Sequence, residues 1–314
     1  MLSVRNLEKK FKFHAGFFSP EDKYVYAVNG ISFDIGENET YGLVGESGCG
    51  KSTTARMLVQ MYKPSGGEII LKGSDGEDKH LQKMKGQGLK EAREQIQYVF
   101  QDPARSLNPR MTIADVLLSG YRYSSQWPGK KQAVEEASRL LKEVGLSHDD
   151  LYRRPPDFSG GQRQRISIAR ALIMKPRLLI CDEVVSALDV SIQGQILNLL
   201  LKIKEEHRLS MLFISHDLAV ITYICDRVGV MYRGALVEEA PAETLVHSPV
   251  HEYTRFLYSS IPRLEAGTGI PGSAAGESPY KGRKFDPTVR PEEVDYAIMK
   301  EVGEKHKVLD TLLV

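Results

Sequence analysis

The first 44 residues alternate between apolar and polar positions in short runs, a pattern that predicts β-strands. These runs cover residues 2–4, 25–28 and 31–35, and turn formers such as Asn29-Gly30 separate them. A short apolar run at residues 41–44 then stops at a glycine-rich turn. The pattern predicts a small β unit at the start of the chain.

The apolar spacing then changes to that of a helix. From residue 52 to about 62 the apolar side chains fall on one helical face, and Pro64-Ser-Gly-Gly67 ends the run. Residues 68–71 predict a strand. Residues 74–94 are polar, with scattered glycines, and predict a surface excursion.

The second half of the chain alternates strands with helices. Residues 103–175 predict mainly helix, including 131–144 and 160–174. Strands are then predicted at 178–181, 211–214 and 227–232, with helices at 191–206 and 217–225 between them. Apolar strands that alternate with helices are typical of a parallel sheet covered on both faces. The helical stretch is long enough to form a subdomain.

Composition narrows the possible partners. The 314 residues carry 42 basic and 41 acidic side chains, a formal net charge of +1, whereas nucleic-acid-binding proteins usually have a basic excess. Three scattered cysteines indicate a reducing compartment. No apolar run approaches the roughly 18–20 residues that cross a bilayer, and the start lacks the apolar core of a signal peptide. We therefore expect a cytosolic chain that reaches a membrane only through a partner.

Residues 45–52, Gly-Glu-Ser-Gly-Cys-Gly-Lys-Ser, follow a predicted strand, precede a predicted helix and fit a phosphate-binding loop. The glycines let successive backbone N–H groups turn toward phosphates, and the helix N-terminus adds partial positive charge. Lys51 would reach the β- and γ-phosphates and Ser52 would ligate Mg²⁺. A glycine turn that merely caps a helix is the alternative. The context on both sides favours nucleotide binding.

Two further motifs extend this chemistry. The predicted strand 178–182 ends in Asp182-Glu183. Alternation along the strand points the two side chains in different directions, so Asp182 would lie near a metal and Glu183 near the attacking water. The alternative is that these are acidic residues of an ordinary turn. Ser159-Gly160-Gly161-Gln162 opens a predicted helix and forms either a second anion site or a plain N-cap. The two anion-binding elements need not serve the same nucleotide.

Together these motifs resemble those of the ABC ATPase family. Residues 45–52 resemble its Walker A loop, 178–182 its Walker B strand and 158–162 its signature motif, with Phe158 in place of the usual Leu. Within the resemblance, the catalytic glutamate, the D-loop aspartate, the switch histidine and the Q-loop glutamine correspond to Glu183, Asp189, His216 and Gln101.

The resemblance implies a set of binding roles. ATP contacts are implied for Phe11, Gly45, Ser47, Gly48, Cys49, Gly50, Lys51, Ser52 and Thr53. Contacts from a second subunit are implied for Ser159, Gly160, Gly161, Gln162 and Asp189. Mg²⁺ contacts are implied for Ser52, Gln101 and Asp182. Phe11 resembles the aromatic that stacks on adenine, but inserted residues at 15–24 leave Tyr24 and Tyr26 as alternatives.

Three stretches resemble the oligopeptide/dipeptide importer branch: the loop 45–51, residues 101–112 and His251-x-Tyr-Thr-Arg with Ser-Ser-Ile-Pro262. The sequence departs from the branch at Val184-Val185, which replace a usual Pro-Thr. It also lacks the tail cysteines of several relatives, so we expect no metal cluster there. The resemblance implies an α/β P-loop NTPase fold with a parallel-sheet core, an N-terminal antiparallel β subdomain and a helical subdomain inserted at about 103–175.

The resemblance also implies domains and partners. An ABC ATPase domain would span 1–262, followed by a loosely ordered extension over 263–314. Two such domains would meet head to tail with ATP between them, alongside two permease subunits and, indirectly, a solute-binding protein, at the cytoplasmic face of the membrane. The expected function is ATP hydrolysis that drives import of peptides or other small solutes. The alternatives are an ABC ATPase that acts on DNA or ribosomes, where two cassettes, a coiled coil or a zinc insertion would be expected, and a P-loop kinase, which would leave Ser159-Gly-Gly unused.

Overall fold

The computed structural model describes residues 1–13, 23–73, 76–259 and 299–309. The chain divides into two compact units. Unit one comprises Met1, Gly36–Asn38 and Lys83–Phe213, and unit two comprises Leu2–Ile35, Glu39–Gln82 and the chain from Ile214 onward.

An antiparallel sheet forms the first part of unit two. Its strands are β1 (Leu2–Phe13), β2 (Lys23–Ile35), β4 (Gly66–Lys72) and β5 (Asp78–His80), in the order β2-β1-β4-β5. The register pairs Leu2 with Ile35 and with Leu71, so apolar side chains of three strands meet on one buried face. The predicted N-terminal antiparallel β subdomain is confirmed.

A second set of strands in unit two includes β3, which leads into the predicted phosphate-binding loop. It contains β3 (Thr40–Val44), β9 (Arg227–Tyr232), β10 (Ala235–Pro241), β11 (Lys300–Gly303) and β12 (His306–Val308), in the order β3-β9-β10-β12-β11. β3 and β9 are parallel, and the remaining pairs are antiparallel. The helices of this unit are α1 (Lys51–Leu58), α8 (Leu218–Ile224), α9 (Ala242–His247) and α10 (Glu252–Ser259).

Unit one combines buried strands with most of the helices. Its strands β6 (Ile96–Val99) and β7 (Leu178–Asp182) pair in parallel, and β8 (Ser210–Ser215), of which residues 210–213 belong to this unit, lies next to β7. Its helices are α2 (Gly86–Gln95), α3 (Pro103–Ser106), α4 (Ile113–Tyr121), α5 (Lys130–Glu143), α6 (Gly160–Leu172) and α7 (Val190–His207). Short 3₁₀ turns cover His148–Tyr152 and Pro155–Asp157. All five residues of β7 are buried, as expected for a parallel strand covered on both faces.

The structure corrects two predicted elements. The helix that starts at the phosphate loop ends at Leu58 rather than near residue 62, because Gln60 adopts a left-handed φ of 57° and closes the helix. The predicted surface excursion 74–94 contains two elements that were not predicted, the strand β5 and, over its last part, the helix α2. Glu94 of that helix is buried and accepts hydrogen bonds from the backbone and hydroxyl of Ser125, which a count of polar residues could not reveal.

The predicted extension 263–314 lies outside the described residues except for 299–309, where β11 and β12 form a hairpin. No described helix has the length and apolarity that crossing a membrane requires.

Candidate active site

The loop at residues 45–50 requires glycine at two positions. Gly45 has a φ of 152°, and a Cβ on it would lie 2.1 Å from the Met231 carbonyl oxygen. Gly50 has a φ of 110°, and a Cβ there would lie 2.3 Å from the Ala27 carbonyl oxygen. The loop therefore packs directly on neighbouring backbone and holds one shape between β3 and α1.

Lys51 is the first residue of α1, and its ammonium group points back into the loop. Its Nζ donates to the carbonyl oxygens of Gly45 at 2.6 Å and Glu46 at 2.9 Å, and lies 3.6 Å from the sulfur of Cys49. The side chain is only 4% exposed. In the part of the chain that the structure describes, no carboxylate forms an ion pair with this lysine. Because a buried charge normally has an ionic partner, the loop is suited to an anion.

The other predicted loop residues lie where the pattern placed them. Ser52 and Thr53 occupy the first turn of α1, where backbone N–H groups have no helical acceptor. Ser47 and Gly48 lie at the exposed part of the loop. Burial raises the pKa of the Cys49 thiol, although nearby Lys51 lowers it in part, so this cysteine is a neutral thiol near pH 7.

The three candidate aromatics separate onto two faces of the β1–β2 ribbon. Phe11 pairs with Val25, whereas Tyr24 pairs with Lys12 and Tyr26 with Lys10, which places the two tyrosines on the opposite face from Phe11. The Phe11 ring packs edge-on against Tyr62, which follows α1, with a centroid distance of 5.4 Å. Phe11 thus faces the side of the ribbon on which the chain leaves α1.

In unit one, Asp182 ends the buried strand β7 and is 4% exposed. Its carboxylate accepts a hydrogen bond from the hydroxyl of Tyr98 on the parallel neighbour β6. A charge-assisted hydrogen bond of this kind stabilises a buried carboxylate. Neither Tyr98 nor its strand was predicted from the sequence; the signal that could have found them is the alternation of apolar and polar residues from 96 to 98.

Glu183 follows Asp182 with a left-handed φ of 49°, an uncommon conformation for a residue other than glycine. Its Oε2 accepts from the side-chain nitrogen of Gln101 at 2.8 Å, and its carbonyl oxygen accepts from the Ser186 hydroxyl at 3.0 Å. Strained backbone that is held by several contacts is typical of functional sites. Two of the predicted catalytic residues are therefore in direct contact.

The residues that follow Glu183 are Val184 and Val185, which are both buried. The two residues that replace Pro-Thr are therefore packed apolar side chains beside the predicted site. The neighbouring thiol of Cys181 is fully buried, and burial raises its pKa well above the usual value, which agrees with an inert cysteine.

Ser159 is the N-cap of α6. Its hydroxyl accepts from the Gln162 N–H at 3.3 Å, and the Gln162 side chain accepts from the Ser159 N–H at 3.0 Å. This is a capping box. The side chains of Ser159 and Gln162 thus carry structural roles at the helix start, while the backbone between them remains at the positive end of the helix dipole.

The Ser-Gly-Gly turn contacts the segment that carries Asp189. A Cβ on Gly161 would lie 2.7 Å from the Ile192 side chain of α7, and one on Gly160 would lie 3.7 Å from Leu188. Asp189 is the N-cap residue of α7 and is exposed. The predicted signature and D-loop residues therefore lie side by side in unit one.

His216 follows β8 and is exposed. The next residue, Asp217, donates its N–H to the Ser215 hydroxyl and caps α8 by accepting from the Ala219 N–H at 2.9 Å. The sharp turn between β8 and α8 thus presents the His216 side chain at the end of a buried strand.

Two segments of the chain match models of known protein families. A family model described as ABC transporter matches residues 28–186. A second, described as the C-terminal region of oligopeptide/dipeptide transporters, matches residues 237–287.

Two curated relatives illustrate the similarity. The chain is 46% identical over 262 residues to the oligopeptide transport ATP-binding protein OppF of Bacillus subtilis, covering 83% of this chain and 82% of that one. It is also 46% identical over 265 residues to the glutathione import ATP-binding protein GsiA of Escherichia coli O157:H7. This alignment covers 84% of the present chain and 42% of the relative.

Solved structures agree with the fold. The chain resembles CbiO1 of Clostridium perfringens, described as part of an ABC transporter complex, with a TM-score of 0.65 and 26% identity over 79% of this chain and 90% of the other. It also resembles the dimeric bacterial ABC transporter cassette MJ0796, with a TM-score of 0.64 and 26% identity over 77% and 99% of the two chains. A further MJ0796 dimer, bound to ADP and phosphate, gives a TM-score of 0.63 and 27% identity.

Proposed function

Because the chain belongs to the ABC transporter family, whose cassettes are ATPases, we propose that it drives import of peptides or related small solutes, with oligosaccharides as a further class. The peptide class is supported by the match of residues 237–287 to the C-terminal region of oligopeptide/dipeptide transporters and by the names of the relatives. Cargo would pass through separate permease subunits.

The buried Lys51 carries this proposal. Its ammonium is enclosed by loop carbonyl oxygens at the start of a helix, where the helix dipole and the adjoining N–H groups also favour negative charge. A polyphosphate is the anion that such a loop accommodates. In this proposal the backbone of residues 45–53 binds the phosphates and Phe11 stacks on adenine.

Hydrolysis is assigned to the residues of the strand ends. Glu183 polarises and orients the attacking water, Gln101 holds the Glu183 carboxylate, and His216 contacts the γ-phosphate and links it to Glu183. Phosphoryl transfer depends mainly on positioning and electrostatics, which suits a constrained carboxylate. The strained backbone at Glu183 is consistent with this role.

The candidate metal ligands fit Mg²⁺, which prefers oxygen donors. Asp182 offers a carboxylate, Gln101 an amide oxygen and Ser52 a hydroxyl. When bound, the ion would neutralise phosphate charge. The Tyr98 hydroxyl donates a hydrogen bond to the Asp182 carboxylate and so fixes its orientation.

Assembly follows from the second anion-binding element. We assign Ser159, Gly160, Gly161, Gln162 and Asp189 to the nucleotide of an identical or sister ATPase subunit. In the proposed transporter the ATPase subunits bind two permease subunits at the cytoplasmic face of the membrane. A solute-binding protein completes the assembly. The dimeric cassettes among the solved structures support the pairing.

The test replaces Lys51 by Ala. Loss of a charge that contacts two phosphates should abolish tight ATP binding in a calorimetric titration, together with ATPase activity. Lys202→Ala is the matched control, because Lys202 pairs with Glu206 on the surface of α7 and should leave both readouts unchanged. Parent-like ATP affinity in the Lys51 variant would refute the loop assignment. Co-purification of the parent chain with a polytopic membrane protein would support transport, and co-purification with nucleic acid alone would contradict it.

A further inference from the structure

The side chain of Tyr253 in helix α10 contacts the phosphate-binding loop. The hydroxyl oxygen of Tyr253 accepts a hydrogen bond from the N–H of Glu46 at 3.0 Å. The Tyr253 side chain is fully buried, and its ring packs against Tyr232 with a centroid distance of 4.4 Å. The position of the hydroxyl is therefore fixed by packing.

Glu46 connects Tyr253 to Lys51 within the loop. Its carbonyl oxygen accepts one of the Lys51 hydrogen bonds, at 2.9 Å. Tyr253 thus holds the N–H of the same residue whose carbonyl oxygen positions the lysine. A change at the tyrosine hydroxyl would be transmitted to the Lys51 ammonium through one residue.

The start of α10 is held in turn by a buried carboxylate. Glu238 on β10 is fully buried and accepts hydrogen bonds from the N–H groups of Val250 at 2.9 Å and His251 at 3.0 Å. The His251 ring nitrogen Nδ1 then accepts from the Tyr253 N–H at 3.2 Å. These bonds fix the first turn of the helix and with it the direction of the tyrosine.

The same carboxylate contacts the C-terminal hairpin. The Nε2 atom of His306 lies 2.7 Å from Glu238 Oε1, and both side chains are almost fully buried. β12, which carries His306, pairs with β10 so that Glu238 lies opposite Val308. A continuous set of buried and partly buried hydrogen bonds therefore runs from the hairpin through Glu238 and α10 to the loop, all within unit two.

We propose that Tyr253 is a positioning residue for the phosphate-binding loop and that the hairpin at residues 299–309 supports it through His306 and Glu238. The proposal rests on the proposed function, because it takes the loop to be the ATP site. A loop held in its binding shape loses less conformational freedom when ATP binds. The C-terminal hairpin thereby sets ATP affinity from outside the site.

Tyr253→Phe removes one hydroxyl and leaves the Glu46 N–H without its acceptor. From the typical cost of such a loss we expect ATP affinity to fall about 5- to 10-fold. The KM for ATP should rise by a similar factor while kcat stays within about twofold, because no group that acts on the γ-phosphate changes. Tyr258→Phe is the matched control: Tyr258 lies in the same helix, is also buried, and within the described residues forms no hydrogen bond with the loop.

The experiment titrates the full-length chain with a fluorescent ATP analogue, measures KM and kcat, and records thermal melting for each variant. Parent-like affinity in Tyr253→Phe overturns the inference, and so does an equal loss in Tyr258→Phe or a fall in kcat without a rise in KM. A parent chain that fails to bind the analogue overturns the proposed function instead, so the two failures are distinguishable.

His306→Leu tests the role of the hairpin, because it substitutes a residue that belongs neither to the phosphate-binding loop nor to α10. It should weaken ATP binding about 2- to 3-fold, and this effect should disappear in the Tyr253→Phe background, because both changes act on one set of contacts. An unchanged affinity in His306→Leu, or full additivity in the double variant, overturns the role of the hairpin.

Discussion

Glu183→Gln separates nucleotide binding from hydrolysis. The substitution keeps the size of the side chain, and the new amide oxygen can still accept from Gln101 as the carboxylate does at 2.8 Å. Glutamine also has the same backbone preferences as glutamate, so the left-handed φ of 49° should persist. Only the negative charge is lost, which in the proposed mechanism polarises the water.

The loss of one oriented charge should lower the hydrolysis rate by about 10³-fold, equivalent to about 4 kcal/mol of transition-state stabilisation. Lys51, Ser52 and Asp182 are unchanged, so ATP affinity should remain near that of the parent. We therefore expect an ATP-bound protein that cannot hydrolyse its nucleotide and that stays associated with a second ATPase subunit.

The assay combines hydrolysis rates with light scattering in ATP and in ADP. Glu206→Gln, at an exposed i,i+4 ion pair near the end of α7, is the control for a charge change at a residue outside the predicted site. Hydrolysis at the parent rate would refute the role of Glu183. An inactive variant that never associates in ATP, with itself or with a sister subunit, would refute the paired-subunit arrangement.

The remaining predictions concern the second anion-binding element, acid stability and thiol chemistry. Ser159→Arg in the Glu183→Gln background should abolish the ATP-dependent dimer in light scattering, whereas Ser159→Ala should keep the dimer and cost about 1 kcal/mol of stability from the lost cap. Burial raises the pKa of Asp150, but hydrogen bonds from Ser147 and Arg153 outweigh burial and leave it below the usual value. Its stabilisation is therefore complete above the unfolded pKa of about 3.9 and is lost as the pH falls through the folded value. Asp150→Asn should cost about 1–3 kcal/mol in urea unfolding at pH 7, and a cost that does not shrink below about pH 4 would contradict this. Because burial raises the pKa of Cys49, maleimide should label it at least about 10-fold more slowly than a free thiol at pH 7, and fast labelling of the folded chain would contradict that.

Local chemistry explains which parts of the site the sequence predicted. The residues of the predicted phosphate-binding loop are contiguous, so its glycines, its lysine and the flanking strand and helix can be recognised from a short stretch of sequence. The capping box at Ser159 is local too, and the structure adds that its side chains serve the helix start. The Asp182-Glu183 pair could be predicted as a candidate site because an apolar strand, which is buried in the structure, ends there.

Contacts between distant residues explain what the sequence did not predict. The Tyr98 hydroxyl meets Asp182 across 84 positions, and the Tyr253 hydroxyl meets Glu46 across 207. Tyr98 belongs to none of the motifs identified in the sequence, and Tyr253 lies in the stretch His251-x-Tyr-Thr-Arg, which indicates a branch of the family but no chemical role for the tyrosine. Helix α2 was missed for a related reason, because its buried Glu94 is satisfied by Ser125, 31 positions away. Pairing partners of this kind are set by the fold.

The hairpin at residues 299–309 also determines how the chain can be shortened. β10 hydrogen-bonds with β9 on one side and β12 on the other, and the outermost strand, β11, presents exposed charged residues such as Lys300 and Glu301. Charged side chains on an outer strand discourage pairing with another chain. A version of the protein that ends near residue 260 would leave β10 as an unprotected edge with its backbone groups unpaired. Such a version should aggregate through strand addition at that edge, even with every residue of the proposed ATP site in place.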